Sequence, residues 1–379
     1  MAPATPIPLS RPSYDEREIA RIREALRGRT AGDGPFGQRV ERRLEALLGV
    51  RRVLLTTSCT HALELALMAL GLTEGQQVVV PSFTFVSTAN AVLRAGARLV
   101  LADIEEETLG LDPSDVERRL TDRTTALLPV HYAGIAARMD ELLAIARRRG
   151  LKVVEDAAQG IGASWRGRPL GSLGDAGCLS FHDTKNLSCG EGGALALHDE
   201  EASRRAEIIR EKGTNRSAFL RGEVDKYTWV AEGSSYILSD VLAAILDAQL
   251  DKQAEIASRR AAIAARYREG LSRWASDSGV RLCPEPQDRA LNHHIFYMLL
   301  PDPASQARCI ASLKANGIGA AFHYVPLHSS PFGRALGLDG TDFPVSAKVA
   351  ATLVRLPIHA EMGDADVERV LDAVVQSLE

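Results

Sequence analysis

The chain has 379 residues, with 45 lysines and arginines against 49 aspartates and glutamates, for a net charge of −4. Its 45% apolar and 25% charged residues are the composition of a folded globular protein, which excludes disorder or a coiled coil for the bulk of it. The mildly acidic balance argues against a nucleic-acid partner, and no run of 18 apolar residues is present to span a membrane.

At roughly 150 residues per domain, the length predicts two to three domains. The opening MAPATPIPLSRP has no apolar core of a secretory signal. The five cysteines, Cys59, Cys178, Cys189, Cys283 and Cys309, are scattered, and no two form a CxxC pair. Reduced thiols and a cytoplasmic location are expected.

From about residue 50 strand-like and helix-like segments alternate. Apolar runs at 52–56, 77–80, 98–103 and 125–131 read as strands, with helices near 60–70, 84–95 and 138–149 between them. Gly71 and Gly150 read as helix stops. Further runs at 151–155, 177–181 and 193–197 complete the series. This pattern predicts an α/β domain with a mainly parallel central sheet covered on both faces. Residues 238–268 read as one long helical stretch, followed by a strand in 292–301 and helices near 304–315 and 364–378. The predicted division is an N-terminal arm over 1–14, a large domain over 15–245 and a smaller α+β domain over 246–379.

In such sheets ligands bind beyond the carboxyl ends of the strands, so the residues just after each run carry the functional signal. Ser58, Cys59 and Thr60 lie between a strand and a helix. They serve either as a simple helix cap or as a phosphate cradle at a helix N-terminus. Asp156 ends the LKVVE run, with Gln159 three residues on. Asp156 either caps the next helix or holds a ring nitrogen protonated by a charge-assisted hydrogen bond. Ser180 and Lys185 stand in SFHDTKN, before the glycine-rich GEGG turn. A lysine in a cleft can lose its proton and form an imine with an aldehyde. Ser180 is placed to donate to a phosphate. A phosphate cradle, a carboxylate and a lysine in this order are what pyridoxal 5′-phosphate requires. Phe85, in PSFTF, is a candidate aromatic face for the ring.

With these residues in place, the sequence resembles the DegT/DnrJ/StrS family of sugar-nucleotide aminotransferases. The stretches TTSCTHALELAL, VVVPSFTFVSTANAV, PVHYAG, VVEDAAQGIGA, SFHDTKNLSCGEGGAL and FHYVPLH carry the resemblance. It implies the aspartate-aminotransferase fold (PLP fold type I) and a homodimer with its active sites at the interface. Lys185 resembles the lysine that carries the cofactor, Asp156 the partner of the pyridine nitrogen, and Gln159 the group near the phenolic oxygen. Phe85 resembles the stacking aromatic, and Cys59, Thr60 and Ser180, beside Ser58, the phosphate binders. Many family members carry a GxNYR segment whose Asn reaches the partner's cofactor; Ser235 stands at that place and Ile237 replaces the Arg. The stretches GSSYILSD and EKGTNRSAFLRGEVDKYTW resemble the dTDP-4-amino-4,6-dideoxyhexose transaminase branch.

The resemblance implies that L-glutamate gives its amino group to carbon 4 of a dTDP-4-keto-6-deoxy sugar. Alternatives are amination at carbon 3 and a non-catalytic regulatory protein of the same fold. A sugar dehydratase of this fold would have His at position 185, and a nicotinamide enzyme would show GxGxxG after the first strand; neither feature is present. Arg216, Arg221 and Lys226 form a basic run that either meets a diphosphate or is a solvated loop. His323, Tyr324 and His328, in FHYVPLHSSP, resemble the sugar-facing segment. His293 and His294 lack metal-ligand spacing; they read as part of a half-buried strand, and no metal is expected.

Overall fold

The computed structural model describes residues 5–340 and 342–378. In chain order, helices α1 (Glu16–Ala25) and α2 (Pro35–Leu48) precede β1 (Arg52–Thr56) and α3 (Cys59–Ala69). β2 (Gln77–Pro81), α4 (Val86–Arg94), β3 (Arg98–Ala102), α5 (Pro113–Arg119), β4 (Thr124–Leu127), α6 (Met139–Arg149) and β5 (Lys152–Asp156) follow. Two short strands, β6 (Ser164–Trp165) and β7 (Arg168–Pro169), lead to β8 (Ala176–Ser180) and β9 (Gly193–Leu197). The strands expected from apolar runs therefore form within a residue or two for most, because each run buries both faces under helices. β4 is the shortest against expectation, ending at Leu127 before Pro129.

Seven of these strands, all but β6 and β7, make one sheet in the order β1-β9-β8-β5-β4-β2-β3. Only β9 runs against its neighbours; every other pairing within the sheet is parallel. The carboxyl ends of β1, β2, β4, β5 and β8 thus share one edge with the start of β9. Register sharpens this: Thr56 and Ser180 both lie opposite Gly193. A Cβ at Gly193 would stand 2.4 Å from the Ser58 carbonyl carbon, so only glycine lets β9 pass this close to the β1–α3 turn.

Adjacent residues on β5 point to opposite faces of the sheet. Asp156 points toward the site, and Glu155 is fully buried on the other side. The Glu155 carboxylate accepts from the backbone N–H groups of Gly171 (2.9 Å), Leu173 (2.6 Å) and Gly174 (2.8 Å). His131 Nδ1 accepts from the Ala137 N–H (3.2 Å), so its Nε2 carries the proton donated to Glu155 at 2.8 Å. Glu155→Ala leaves three backbone donors and an imidazole unpartnered in the core. It is expected to lower stability by roughly 3–5 kcal/mol, measured by chemical denaturation.

After β9 come α7 (Glu200–Arg210), α8 (Arg216–Leu220), α9 (Asp240–Asp251) and α10 (Gln253–Asp277). The single helix expected over 238–268 is therefore two helices. The break falls at Lys252, at φ −95° and ψ 1°, and its Nζ donates to the Ser13 carbonyl (2.6 Å) and pairs with Glu18 (2.7 Å). The break lets α9 stay on the large core while α10 leaves it after its first turn: Leu246, Leu250 and Ile256 pack with Phe36 and Val40, whereas Ile263, Tyr267 and Leu271 join a second core. A boundary after residue 245 would therefore cut through α9.

The C-terminal region adds β10 (Arg281–Leu282), β11 (Arg289–Ala290), β12 (Phe296–Leu299), α11 (Pro303–Ala315), α12 (Pro331–Ala335), α13 (Pro344–Thr352), β13 (Leu353–Leu356) and α14 (Asp364–Gln376). β10, β12 and β13 form a small antiparallel sheet. The N-terminal segment expected as an arm is held by this part of the chain. Ile7 is buried in its core and exchanges backbone hydrogen bonds with Gly317 and Gly319. No helix of the described residues is long and apolar enough to cross a membrane.

Candidate active site

A cavity of about 390 Å³ opens at the shared strand edge, between the large sheet and the segment carrying β13. Its walls bring together Ser58, Cys59, Thr60, Phe85, Asp156, Gln159, Ser180, Lys185, His323 and Tyr324. Residues far apart in sequence meet here because each follows a different strand of one sheet edge or enters from the smaller domain.

At the end of β1, Ser58 caps α3, its Oγ accepting from the His61 N–H at 3.2 Å. The first-turn N–H groups of Cys59 and Thr60 lie beyond any intrahelical acceptor and point outward from the helix start. Ser180 ends β8 beside this turn. Unpaired amides and hydroxyls at a helix N-terminus suit a phosphate. The Cys59 thiol is pushed well above its ordinary pKa, chiefly by burial, and is neutral there.

Asp156 is buried. Its Oδ2 accepts from the Thr88 hydroxyl at 2.7 Å and its Oδ1 from the Ala158 N–H at 3.1 Å. Thr84 in turn bonds Thr88 at 2.8 Å. The carboxylate is thereby fixed in orientation, with acceptor capacity left for a cationic N–H in the cavity. Gln159 is fixed as well: its Oε1 accepts from the Ala133 N–H (2.6 Å) and its Nε2 donates to the Tyr324 hydroxyl (3.1 Å). Tyr324 stacks on His323 at 3.7 Å, and the Tyr132 hydroxyl bonds His323 Nδ1 at 3.1 Å. Burial pushes the His323 pKa down to about 2, so this imidazole is neutral. Phe85 precedes α4 with 56% of its surface exposed, an aromatic face presented on the cavity wall rather than packed in the core.

Lys185 lies in the turn after β8, its backbone N–H donating to the His182 carbonyl at 2.9 Å. Burial lowers its pKa, with a smaller contribution from Arg355; Cys59 and Asp156 act in the opposite sense. Lowering favours the neutral, nucleophilic amine. The next residue, Asn186, is locked: its Nδ2 donates to the Asn292 carbonyl (2.9 Å) and its Oδ1 bonds His294 Nδ1 (2.9 Å). His294 is thus a buried cavity-wall group rather than a half-buried strand residue.

These residues fit pyridoxal 5′-phosphate on chemical grounds. The cavity offers an amine for the aldehyde, a carboxylate for the ring nitrogen, and hydroxyls with free amides for the phosphate. Sequence reasoning missed Thr88, which orients Asp156, and Asn186, which anchors the lysine turn. Thr88 had a visible signal, since it lies one helical turn after Thr84 on a segment otherwise apolar or small.

Five expected residues do not reach this cavity. Ser235 is exposed and pairs its backbone with Glu211. Arg216 is paired with Glu211 at 3.0 Å, and Arg221 with Glu207 at 2.9 Å and Glu223 at 2.8 Å, so neither guanidinium is free for a diphosphate of this cavity. Lys226 is exposed on the same segment. His328 also lies outside the cavity wall, its Nδ1 bonded to Ser82 Oγ at 2.6 Å and its ring stacked on Phe343.

Residues 12–375 match the DegT/DnrJ/EryC1/StrS aminotransferase family. The spore coat polysaccharide biosynthesis protein SpsC of Bacillus subtilis is 33% identical over 377 residues, covering 97% of this chain and 96% of SpsC. Among solved structures, the sugar aminotransferase Spr1654 from Streptococcus pneumoniae, described as putative and solved in its PMP form, superposes with a TM-score of 0.92. It is 26% identical, covering 98% of this chain and 97% of that one. DesV of S. venezuelae superposes with a TM-score of 0.90 at 32% identity, covering 99% of both chains.

Proposed function

The chain belongs to the DegT/DnrJ/EryC1/StrS aminotransferase family, and from that premise we propose that it transfers an amino group from L-glutamate to carbon 4 of a dTDP-4-keto-6-deoxy sugar, using pyridoxal 5′-phosphate. The observation that carries the chemistry is the meeting of Lys185, Asp156 and the α3 N-terminus in one cavity. The resemblance of GSSYILSD and the segment before it carries the choice of carbon 4.

Bound in this cavity, the cofactor supplies an aldehyde and an electron-accepting ring. Ser58, Cys59, Thr60 and Ser180 would hold its phosphate, Asp156 would keep its ring nitrogen protonated, and Phe85 would offer its ring an aromatic face. The Lys185 amine would hold its aldehyde carbon and, when free, Lys185 Nζ would take the proton from the donor's α-carbon as a base and return it as an acid to the carbon that had carried the aldehyde oxygen, with the same transfers in the opposite direction for the sugar. Depression of its pKa by burial suits this double role. Gln159, hydrogen-bonded to Tyr324, and neutral His323, stacked on Tyr324, orient polar groups without placing a further charge beside the reacting carbon.

The segment carrying Arg216, Lys226 and Ser235 also exposes Leu220 (64%), Tyr227 (51%) and Trp229 (76%). An apolar surface of this kind beside basic residues supports a homodimer in which this segment faces the partner's cavity. The five free thiols suit a reducing, cytoplasmic setting.

The test is incubation of the cofactor-loaded protein with glutamate and dTDP-4-keto-6-deoxyglucose, with the product read by NMR. A carbon-4 amine with stoichiometric 2-oxoglutarate is expected. Amination at carbon 3 of a 3-keto substrate, or no amination of any keto-sugar nucleotide, contradicts it.

A further inference from the structure

The reaction as described leaves one ring nitrogen of the cavity wall unused. His294 stands just before β12 and lines the cavity with Lys185, His323 and Tyr324. The turn that carries it is fixed from several sides. Asn292 Nδ2 donates to the Gln159 carbonyl (2.7 Å) and the Ile161 carbonyl (2.9 Å), and its Oδ1 accepts from the His294 N–H (3.1 Å). His293 lies in the left-handed region at φ 48°, a conformation that a non-glycine residue keeps where its surroundings impose it. From α10, Arg260 donates to the His293 carbonyl at 2.9 and 3.1 Å and to the His294 carbonyl at 2.7 Å. Arg260 is buried and pairs with no carboxylate among the described residues, so a cation without a counter-charge stands behind the turn.

This frame decides the tautomer of His294. Asn186 Nδ2 donates to the Asn292 carbonyl, so Asn186 Oδ1 is the atom that meets His294 Nδ1 at 2.9 Å. An amide oxygen only accepts, so Nδ1 carries the proton. Burial pushes the pKa of this ring well below its ordinary value, and the charges of Lys185, Arg260 and Arg355, with His323, push the same way. The imidazole is therefore neutral, and its Nε2 holds a bare lone pair. Nε2 has no partner among the described residues, yet it is not sealed in the core, so it opens onto the cavity. His323 differs, because its Nδ1 meets a tyrosine hydroxyl that can give or take a proton, which leaves its tautomer open.

We infer that His294 Nε2 is the acceptor that holds the Lys185 amine whenever that amine is free. The inference rests on the aminotransferase reading and deepens it. Lys185 directly precedes Asn186, whose side chain touches His294, and its own Nζ has no hydrogen-bond partner among the described residues. The other groups around the amine are engaged, neutral or of like charge. Asp156 is held by Thr88 and Ala158, and its remaining capacity serves the ring nitrogen. Glu191 lies 3.6 Å from His182 Nε2, Cys59 is a neutral thiol, and Arg355 opposes an ammonium. A carboxylate in place of His294 would keep the lysine charged. A neutral acceptor supports the ammonium through one hydrogen bond and still lets its proton go. His294 is thus a positioning residue that acts through Lys185, and Asn186 and Arg260 keep it in its accepting form.

The experiment uses the full chain loaded with pyridoxamine 5′-phosphate, which leaves the Lys185 amine free. Competitive acetylation between about pH 6 and pH 10, read by mass spectrometry of the Lys185 peptide, gives the titration midpoint of that one amine. Two variants separate the two ring nitrogens. His294→Asn keeps a donor where Nδ1 stands and loses the acceptor. His294→Gln puts an amide oxygen where Nε2 stands and gives up the contact with Asn186. His294→Asn is expected to lower the midpoint by about one pH unit, and His294→Gln by less than about a third of that. In the wild type, proton–nitrogen correlation NMR of histidine-labelled protein should show His294 protonated on Nδ1 and bare on Nε2. An unchanged midpoint in His294→Asn overturns the assignment. So does an equal fall in both variants, which would make the contact with Asn186 the cause, and so does a proton on Nε2 in the wild-type spectrum. That spectrum decides the matter if a variant fails to fold. None of these readings uses turnover, so a protein that aminates no sugar nucleotide would remove the aminotransferase reading while the contact between His294 and Lys185 is still judged by the midpoints.

Discussion

Replacing Lys185 with alanine is expected to lower turnover of glutamate and keto sugar by at least about 10³-fold, the range lost when a proton-transferring group that also acts as nucleophile is removed. Cofactor should remain bound without a covalent link, because the α3 N-terminus, Ser180 and Asp156 are untouched by the change. The loss must therefore appear in kcat and not as a missing cofactor, and absorbance after gel filtration separates the two. A stability measurement guards against misfolding. Burial lowers the Lys185 pKa in the folded chain, while an unfolded lysine titrates near 10.4. Between those two values the unfolded chain binds more protons, so this residue makes stability rise with pH. Cofactor-free Lys185→Met should accordingly melt higher than the cofactor-free wild type near neutral pH. The gap should close as the pH approaches about 10.

The second large effect belongs to Asp156. Asp156→Asn preserves the shape that Thr88 and Ala158 hold, but removes the charge. Turnover is expected to fall by about 10²–10³-fold, the size of a lost preorganised electrostatic contact, with cofactor affinity changed much less. Asp156→Ala should lower both, since it also leaves the Thr88 hydroxyl without its buried acceptor. Steady-state kinetics with a cofactor titration by fluorescence measure the two quantities. Equal turnover in Asp156→Asn and wild type would remove Asp156 from the chemistry.

Much of the large sheet was readable because its strands are short and apolar on both faces, as strands buried under helices must be. β1, β5, β8 and β9 fall at or within one residue of the runs that predicted them. The polar residues that follow those runs form the cavity for the same reason: a polar group after a buried strand emerges at the sheet edge. The break at Lys252 was not readable. No glycine or proline marks it, and what holds it is a salt bridge to Glu18, 234 positions earlier. Asn186 acts through contacts with residues distant in sequence, so local pattern did not single it out, whereas the Thr84–Thr88 spacing was the one local trace of Thr88. Arg216, Arg221, Lys226 and Ser235 were grouped by charge or by resemblance. Sequence alone does not say which carboxylate neutralises a guanidinium, and Glu207 and Glu211 take up two of them.

The central claim is that the Lys185 amine carries the aldehyde of pyridoxal 5′-phosphate. Borohydride reduction of the cofactor-loaded protein, followed by proteolysis and mass spectrometry, tests it directly, because reduction turns the reversible carbon–nitrogen link into a permanent one. The pyridoxyl mass is expected on the peptide containing Lys185 and on no other. A label on a different lysine, or full retention of cofactor with no label at position 185, would contradict the account.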